Sequence, residues 1–264
     1  MFSAPAKASI ALIIAAAMAG AAVWAFSGEQ ASDYAADQSG QRALGLVTSL
    51  PIYWAEGDDF SAMLRPDAEL PWVRQQLERK FELVPVDRIS PADDGTPDLA
   101  AGQSRQIDDL LIVQPRGLSP ADNVAIDRFV RDGGRLLIVI DPMLAGHYET
   151  PIGDPRHPSV VGLVPPLFAR WGLAMDEREG EGAGQYLIPT PIGEVPVINA
   201  GQLRAVANDP ADGQCAIGEG GLIARCAVGA GRATVMADAT IFEIAQGNDA
   251  QAELIARLAG YAFD

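Results

Sequence analysis

Two short apolar runs, Asp109 to Gln114 (DLLIVQ) and Arg135 to Ile140 (RLLIVI), are separated by one self-contained helix signal, and this arrangement limits the fold more than any other part of the sequence. In the intervening LSPADNVAIDRFVRDGG, Ser119 is a good N-cap, Pro120 suits the first helical position, and Asp122 completes a Ser-x-x-Asp capping pattern. Ile126, Phe129 and Val130 form an apolar stripe, and Gly133-Gly134 ends the helix. Continuous apolar runs are strands buried on both faces. Strand, helix and strand in that order imply a parallel sheet with helices covering it.

The same alternation holds along the chain. Leu44 to Ser49 and Phe81 to Val86 read as further buried strands. Between them Leu70 to Lys80 is a helix, with Pro71 in its first turn and Trp72, Val73 and Leu77 on one side. After Pro142 the pattern loosens: PLFARWG makes a short helix ending at Gly172. Four short strand candidates then follow among Gly and Pro, at Leu173 to Met175, Gln185 to Ile188, Val195 to Ile198 and Leu203 to Val206. Arg232 to Ala237 resumes a core strand ending at Asp238, and Gln251 to Tyr261 is a last amphipathic helix.

Before this domain lies a span of a different kind. Ala8 to Phe26 is uncharged, preceded by Lys7 and followed by Glu29, Asp33 and Asp37. As a helix it rises about 28 Å, close to the hydrocarbon thickness of a bilayer. Positive charge before it and acidic residues after it place the N-terminus in the cytoplasm and the rest outside. Residues 1–26 are thus a transmembrane anchor or a signal peptide, and small residues around Ala25 leave cleavage open. Residues 27–42 are a polar linker, and 43–264 form the extracytoplasmic domain.

The two cysteines agree with export. Cys215 and Cys226 flank Gly218, Gly220 and Gly221, so a hairpin with a glycine-rich turn can set them opposite each other for a disulfide. With the short strands before it, this hairpin suggests a small antiparallel extension. A formal net charge of -16 excludes nucleic acid as a partner, because phosphate neutralisation needs clustered Lys and Arg. It also argues against resting on an anionic lipid surface.

LSPADNVAIDRFVRDGGRLLIVIDP, PLFARWGLAMDE and GAGRATVMADATIFE together resemble the gliding-motility-associated ABC-transporter auxiliary family. The most specific portion is Asp-x-Phe, then Gly-Gly, then Asp-Pro, running from Asp127 to Pro142. The resemblance extends in order from Leu44 to Phe242. It implies an accessory domain of a transport complex in the inner membrane, single-pass, with the domain in the periplasm and an ABC permease or other membrane protein as partner. Related domains resemble the glutamine-amidotransferase-like fold without its chemistry. The expected fold is therefore α/β, a three-layer parallel sheet flanked by helices (amidotransferase- or flavodoxin-like), with a small antiparallel extension.

Chemistry is sparse in the sequence. An amidotransferase-like enzyme needs a cysteine in the tight turn after a central strand, and the turns here read Gln114-Pro115-Arg116 and Asp141-Pro142-Met143. There is no G-x-S-x-G elbow and no G-x-G-x-x-G after a strand. Strand ends of α/β sheets are where ligands bind, which makes Thr48, Tyr53, Trp54, Asp58, Arg116, Asp141 and Asp238 the candidate lining of a ligand or partner crevice. Glu56, Asp58 and Asp59 are either a solvated acidic loop or a weak cation site. Asp141 and Asp238 either face one crevice or cap neighbouring turn amides. His147 and His157, on either side of Asp154, are surface residues or two ligands of a metal site. Tyr53 and Trp54 either pack in the core or form an exposed anchor for a partner or glycan. The sequence is accordingly read as a non-enzymatic accessory domain without a cofactor. The alternatives are an exported hydrolase or metal-dependent enzyme using Asp141, Asp238 and the histidine loop, and a periplasmic small-molecule sensor domain.

Overall fold

The computed structural model describes residues 40–56, 70–90, 107–178, 184–243 and 247–264. The apolar span Ala8 to Phe26, most of the polar stretch after it, and Asp58 and Asp59 lie outside the described residues. No helix among the described residues is long and apolar enough to cross a membrane. Arg42–Asp264 form one compact unit.

The chain enters through β1 (Arg42–Thr48), which α1 (Trp72–Glu78) connects to β2 (Phe81–Pro85). A second crossover runs from β3 (Asp109–Val113) through α2 (Pro120–Arg131) to β4 (Arg135–Val139). Next come α3 (Leu167–Arg170), β5 (Leu173–Glu177), β6 (Tyr186–Thr190), β7 (Gly193–Val197) and β8 (Gly201–Ala205). The chain then forms β9 (Gln214–Ile217), a 3-10 turn at Glu219–Gly221, β10 (Ile223–Val228) and β11 (Gly231–Met236), and finishes with α4 (Thr240–Glu243) and α5 (Asp249–Phe263).

The central sheet has the order β2-β1-β3-β4-β11-β10-β9. From β2 to β11 the pairing is parallel, while β10 and β9 add antiparallel at one edge. The parallel part follows the flavodoxin-type doubly wound order, whose direction reverses between β1 and β3. Right-handed crossovers on either side of that reversal place α1 and α2 on opposite faces. In keeping with this, α5 packs against β4 and α1, whereas α2 packs against β11, β10 and α3. Every residue of β3 is buried, which explains the apolar run at 110–113, and the buried Asp109 that starts the strand is paired with Arg42 and Arg135.

Local sequence accounts for the helix ends. The Ser119 hydroxyl accepts the Asp122 amide at 3.1 Å, and Asp122 accepts the Ser119 amide at 2.9 Å, so the capping box of α2 forms as its sequence predicts. Asn248 and Gln251 make an equivalent box at α5. Asp127 on α2 joins two parts of the chain distant in sequence: it accepts the Trp171 indole N–H at 2.8 Å and the Arg131 guanidinium at 2.7 Å. Trp171 is fully buried, so the Asp-x-Phe and Trp-Gly segments that carry the family resemblance are tied in space.

The antiparallel extension is placed differently from the sequence expectation. Cys215 and Cys226 are directly paired across β9 and β10 and form a disulfide, but their hairpin belongs to the central sheet. The reason lies at Gly229, whose φ of +59° lets β10 fold back onto β11 and continue the ladder. The separate antiparallel pieces are the pairs β5–β8 and β6–β7.

Candidate functional site

The parallel register brings Thr48, Val113, Val139 and Met236 to one level, so the residues after them share one edge of the sheet. In an open α/β sheet this carboxyl edge is the place for a ligand, above all where the strand order reverses. Here the chain itself fills the reversal between β1 and β3. Gln114 is fully buried at φ +44°, a left-handed backbone that non-glycine residues adopt rarely. Its side-chain oxygen accepts the Asp141 amide at 2.8 Å, and its side-chain nitrogen donates to the Asp141 and Ser159 carbonyls at 3.1 and 2.9 Å. The Ser49 hydroxyl donates to the Gln114 carbonyl at 2.5 Å and accepts the Ser159 amide at 3.0 Å.

These bonds hold residues 157–164 across the strand ends as a strap. Gly162 crosses so near β4 that a Cβ there would stand 2.3 Å from the Asp141 carbonyl oxygen. The strap's outer side is apolar, with Val160, Val161, Leu163 and Val164 all exposed.

Asp141 and Asp238 end neighbouring strands and are both completely buried. Asp141 accepts the amides of Met143 and Ala239 at 2.8 and 2.9 Å. Asp238 accepts the Thr240 amide at 2.8 Å and the Thr240 hydroxyl at 3.1 Å. Burial pushes Asp141 up to about 6 against the pull of its two amides, and the charge of Glu243 adds to the rise. Burial also raises Asp238 well above the usual carboxylate range, and the charge of Asp141 pushes the same way.

Two more carboxylates hold the loop after β4. Glu243 accepts the Gly146 amide and the Tyr148 hydroxyl, both at 2.7 Å, and burial together with that bond raises the Tyr148 phenol. Glu56 accepts the Thr150 hydroxyl at 2.6 Å and its amide at 2.8 Å. His157 contacts the Thr150 carbonyl through Nδ1 at 2.8 Å, and its ring meets Tyr148 edge to face.

The sequence candidates therefore separate into groups. Asp141 and Asp238 come together in the interior and are engaged by turn amides. Arg116 is exposed and donates to the His157 carbonyl at 2.7 Å. His147 is exposed, and Asp154 pairs with Arg156. The two histidines do not converge on the buried aspartates, and among the described residues no group of three or more His, Cys, Asp or Glu is placed to hold a metal ion. Thr48, Tyr53 and Trp54 line an open cavity of about 260 Å³ beside the ends of β1 and β2, together with Glu56, Asp87, Thr150 and Arg156. Asp58 lies outside the described residues. The sequence reading missed Gln114 and Ser49. Their one local signal is a polar residue set directly at the end of a fully apolar run.

Residues 41–206 match the family described as ABC-type uncharacterized transport system. No curated protein matches the chain in sequence. Among solved structures it is similar to an exo-beta-1,4-mannosidase from an Opitutaceae bacterium, with 14% identity, TM-score 0.43, and coverage of 83% of this chain and 35% of that one. It is similar also to a beta-galactosidase from Bacillus circulans sp. alkalophilus, with 12% identity, TM-score 0.40, and coverage of 84% of this chain and 31% of that one. A third is a beta-galactosidase from G. stearothermophilus, with 11% identity, TM-score 0.42, and coverage of 84% of this chain and 30% of that one. This chain spans about a third of the length of these enzymes. The expectation of a non-enzymatic chain is corrected by these neighbours, which are glycoside hydrolases, and is withdrawn. At such low identities and TM-scores no activity or residue role passes from them to this chain.

Proposed function

This chain belongs to the auxiliary family of ABC-type uncharacterized transport systems, and from that membership we propose that it is a membrane-anchored, extracytoplasmic accessory component that binds the system's permease. The observation that carries the reading is the family match itself. It covers β1 through β8 and so includes Gln114, Asp141 and the strap. The finer placement near the gliding-motility-associated members rests on the spacing from Asp127 through Gly133-Gly134 to Asp141-Pro142.

Two features support the mode of action. The strap presents Val161 at 53% and Leu163 at 65% exposure, with Val160 and Val164 beside them. A contiguous apolar stretch held rigidly in water favours a protein partner over solvent. The apolar run Ala8 to Phe26, with Lys7 before it and acidic residues after it, supports anchoring in the inner membrane with 43–264 in the periplasm.

Fusing a reporter that is active only outside the cytoplasm after Asp264, and fractionating the cells, tests the topology. Reporter activity in the membrane fraction is expected. An inactive reporter on a fusion that is made in full contradicts it.

A further inference from the structure

The strap and its partners close most of the carboxyl edge, but the cavity beside β1 and β2 stays open. Its aromatic wall is Tyr53 and Trp54, which meet edge to face with ring centroids 4.9 Å apart. The Arg74 guanidinium lies 4.0 Å from the Tyr53 centroid and 5.8 Å from that of Trp54, so these π faces already attract one cation. Trp54 nonetheless keeps 47% of its surface exposed.

The remaining lining is rich in acceptors. Glu56, whose Oε1 accepts both the amide and the hydroxyl of Thr150, is part of the lining. Asp87 adds an exposed carboxylate. Of the lining hydroxyls, Ser49 donates to the Gln114 carbonyl and Thr150 to Glu56, while Thr48 accepts the Leu50 amide. Arg156, the cation of the lining, is held by Asp154 through both Nε and Nη2. A guest therefore meets an indole face and uncompensated negative charge. An anion is repelled here, and a neutral polyol leaves that charge unanswered.

We propose that this cavity binds a small alkylammonium compound, its ammonium group against Glu56 and Asp87 and its methylene stem on the Trp54 ring. A volume of about 260 Å³ suits such a guest, and a protein of net charge -16 concentrates cations near its surface. The inference deepens the reading of the carboxyl edge as the binding face. Permease binding by the strap is measured separately, so either can fail without the other.

The test titrates the full chain in detergent with n-pentylammonium chloride, with pentan-1-ol as its neutral match and glucose as a polyol, while following the Trp54 indole N–H by NMR. Trp54→Phe assigns the signal. The ammonium is expected to shift it saturably and the alcohol and sugar are not. Asp87→Asn, at an exposed position that leaves the fold intact, is expected to weaken ammonium binding roughly threefold to fivefold, and Trp54→Ala by about as much. The proposal is overturned if pentan-1-ol or glucose binds as well as the ammonium, if Asp87→Asn leaves Kd unchanged, or if the ammonium gives no saturable shift.

Discussion

The side-chain amide of Gln114 pairs with the Asp141 backbone in both directions, accepting its N–H at 2.8 Å and donating to its carbonyl at 3.1 Å. It stands in for one more residue of sheet ladder between β3 and β4 and, through Ser159, ties the strap to the strand ends. Gln114→Ala strands several buried backbone groups at once. It is expected to destabilise the domain by roughly 2–4 kcal/mol. Urea unfolding checks this, and a change within about 0.5 kcal/mol would show the network to be dispensable.

The buried aspartates make stability depend on pH. Asp141 titrates near 6 in the folded chain and near 3.8 when unfolded, so the folded state binds the extra proton. That contribution is complete below pH 3.8 and is lost as pH rises through about 6; it amounts to about 3 kcal/mol. Asp238 acts in the same direction. Other carboxylates oppose it: partial burial raises Asp127, but its bonds to Arg131 and Trp171 hold it below its usual value. The telling quantity is therefore the stability difference between wild type and Asp141→Asn from pH 4 to pH 7. Wild type should lose stability relative to the variant as pH rises. A flat difference profile contradicts the assignment.

Much of this was legible in the sequence because the signals were local. The Ser119 to Asp122 box, the run from Arg135 to Ile140 and the Gly133-Gly134 stop each depend on neighbours within one turn or one strand. The pairing of Cys215 with Cys226 was equally local, since a glycine-rich turn lay between them. The sheet that receives their hairpin was not, because it depends on where β11 inserts beside β4. Gln114 stayed hidden for the same reason: its partners Asp141 and Ser159 lie 27 and 45 residues away. The open cavity depends on Asp87, from the loop after β2, meeting Thr150 and Arg156 from the long loop after β4.

The disulfide fastens β9, the outermost strand of the sheet, to β10. Closing so short a loop contributes roughly 2–3 kcal/mol. Replacing Cys215 and Cys226 by serine should lower stability by that amount and speed hydrogen exchange in β9 before β11. Non-reducing mass spectrometry of protein from an oxidising compartment should find no free thiol, and two free thiols would refute the bridge.

The accessory role is tested most directly by association. The full chain, tagged after Asp264 and extracted from membranes in mild detergent, should bring down an ABC permease at a fixed ratio. The double variant Val161→Asp/Leu163→Asp, whose exposed positions tolerate charge, should remain folded and lose that partner. Recovery of the wild-type chain without any permease, or retention of the permease by the double variant at the wild-type ratio, would contradict the account.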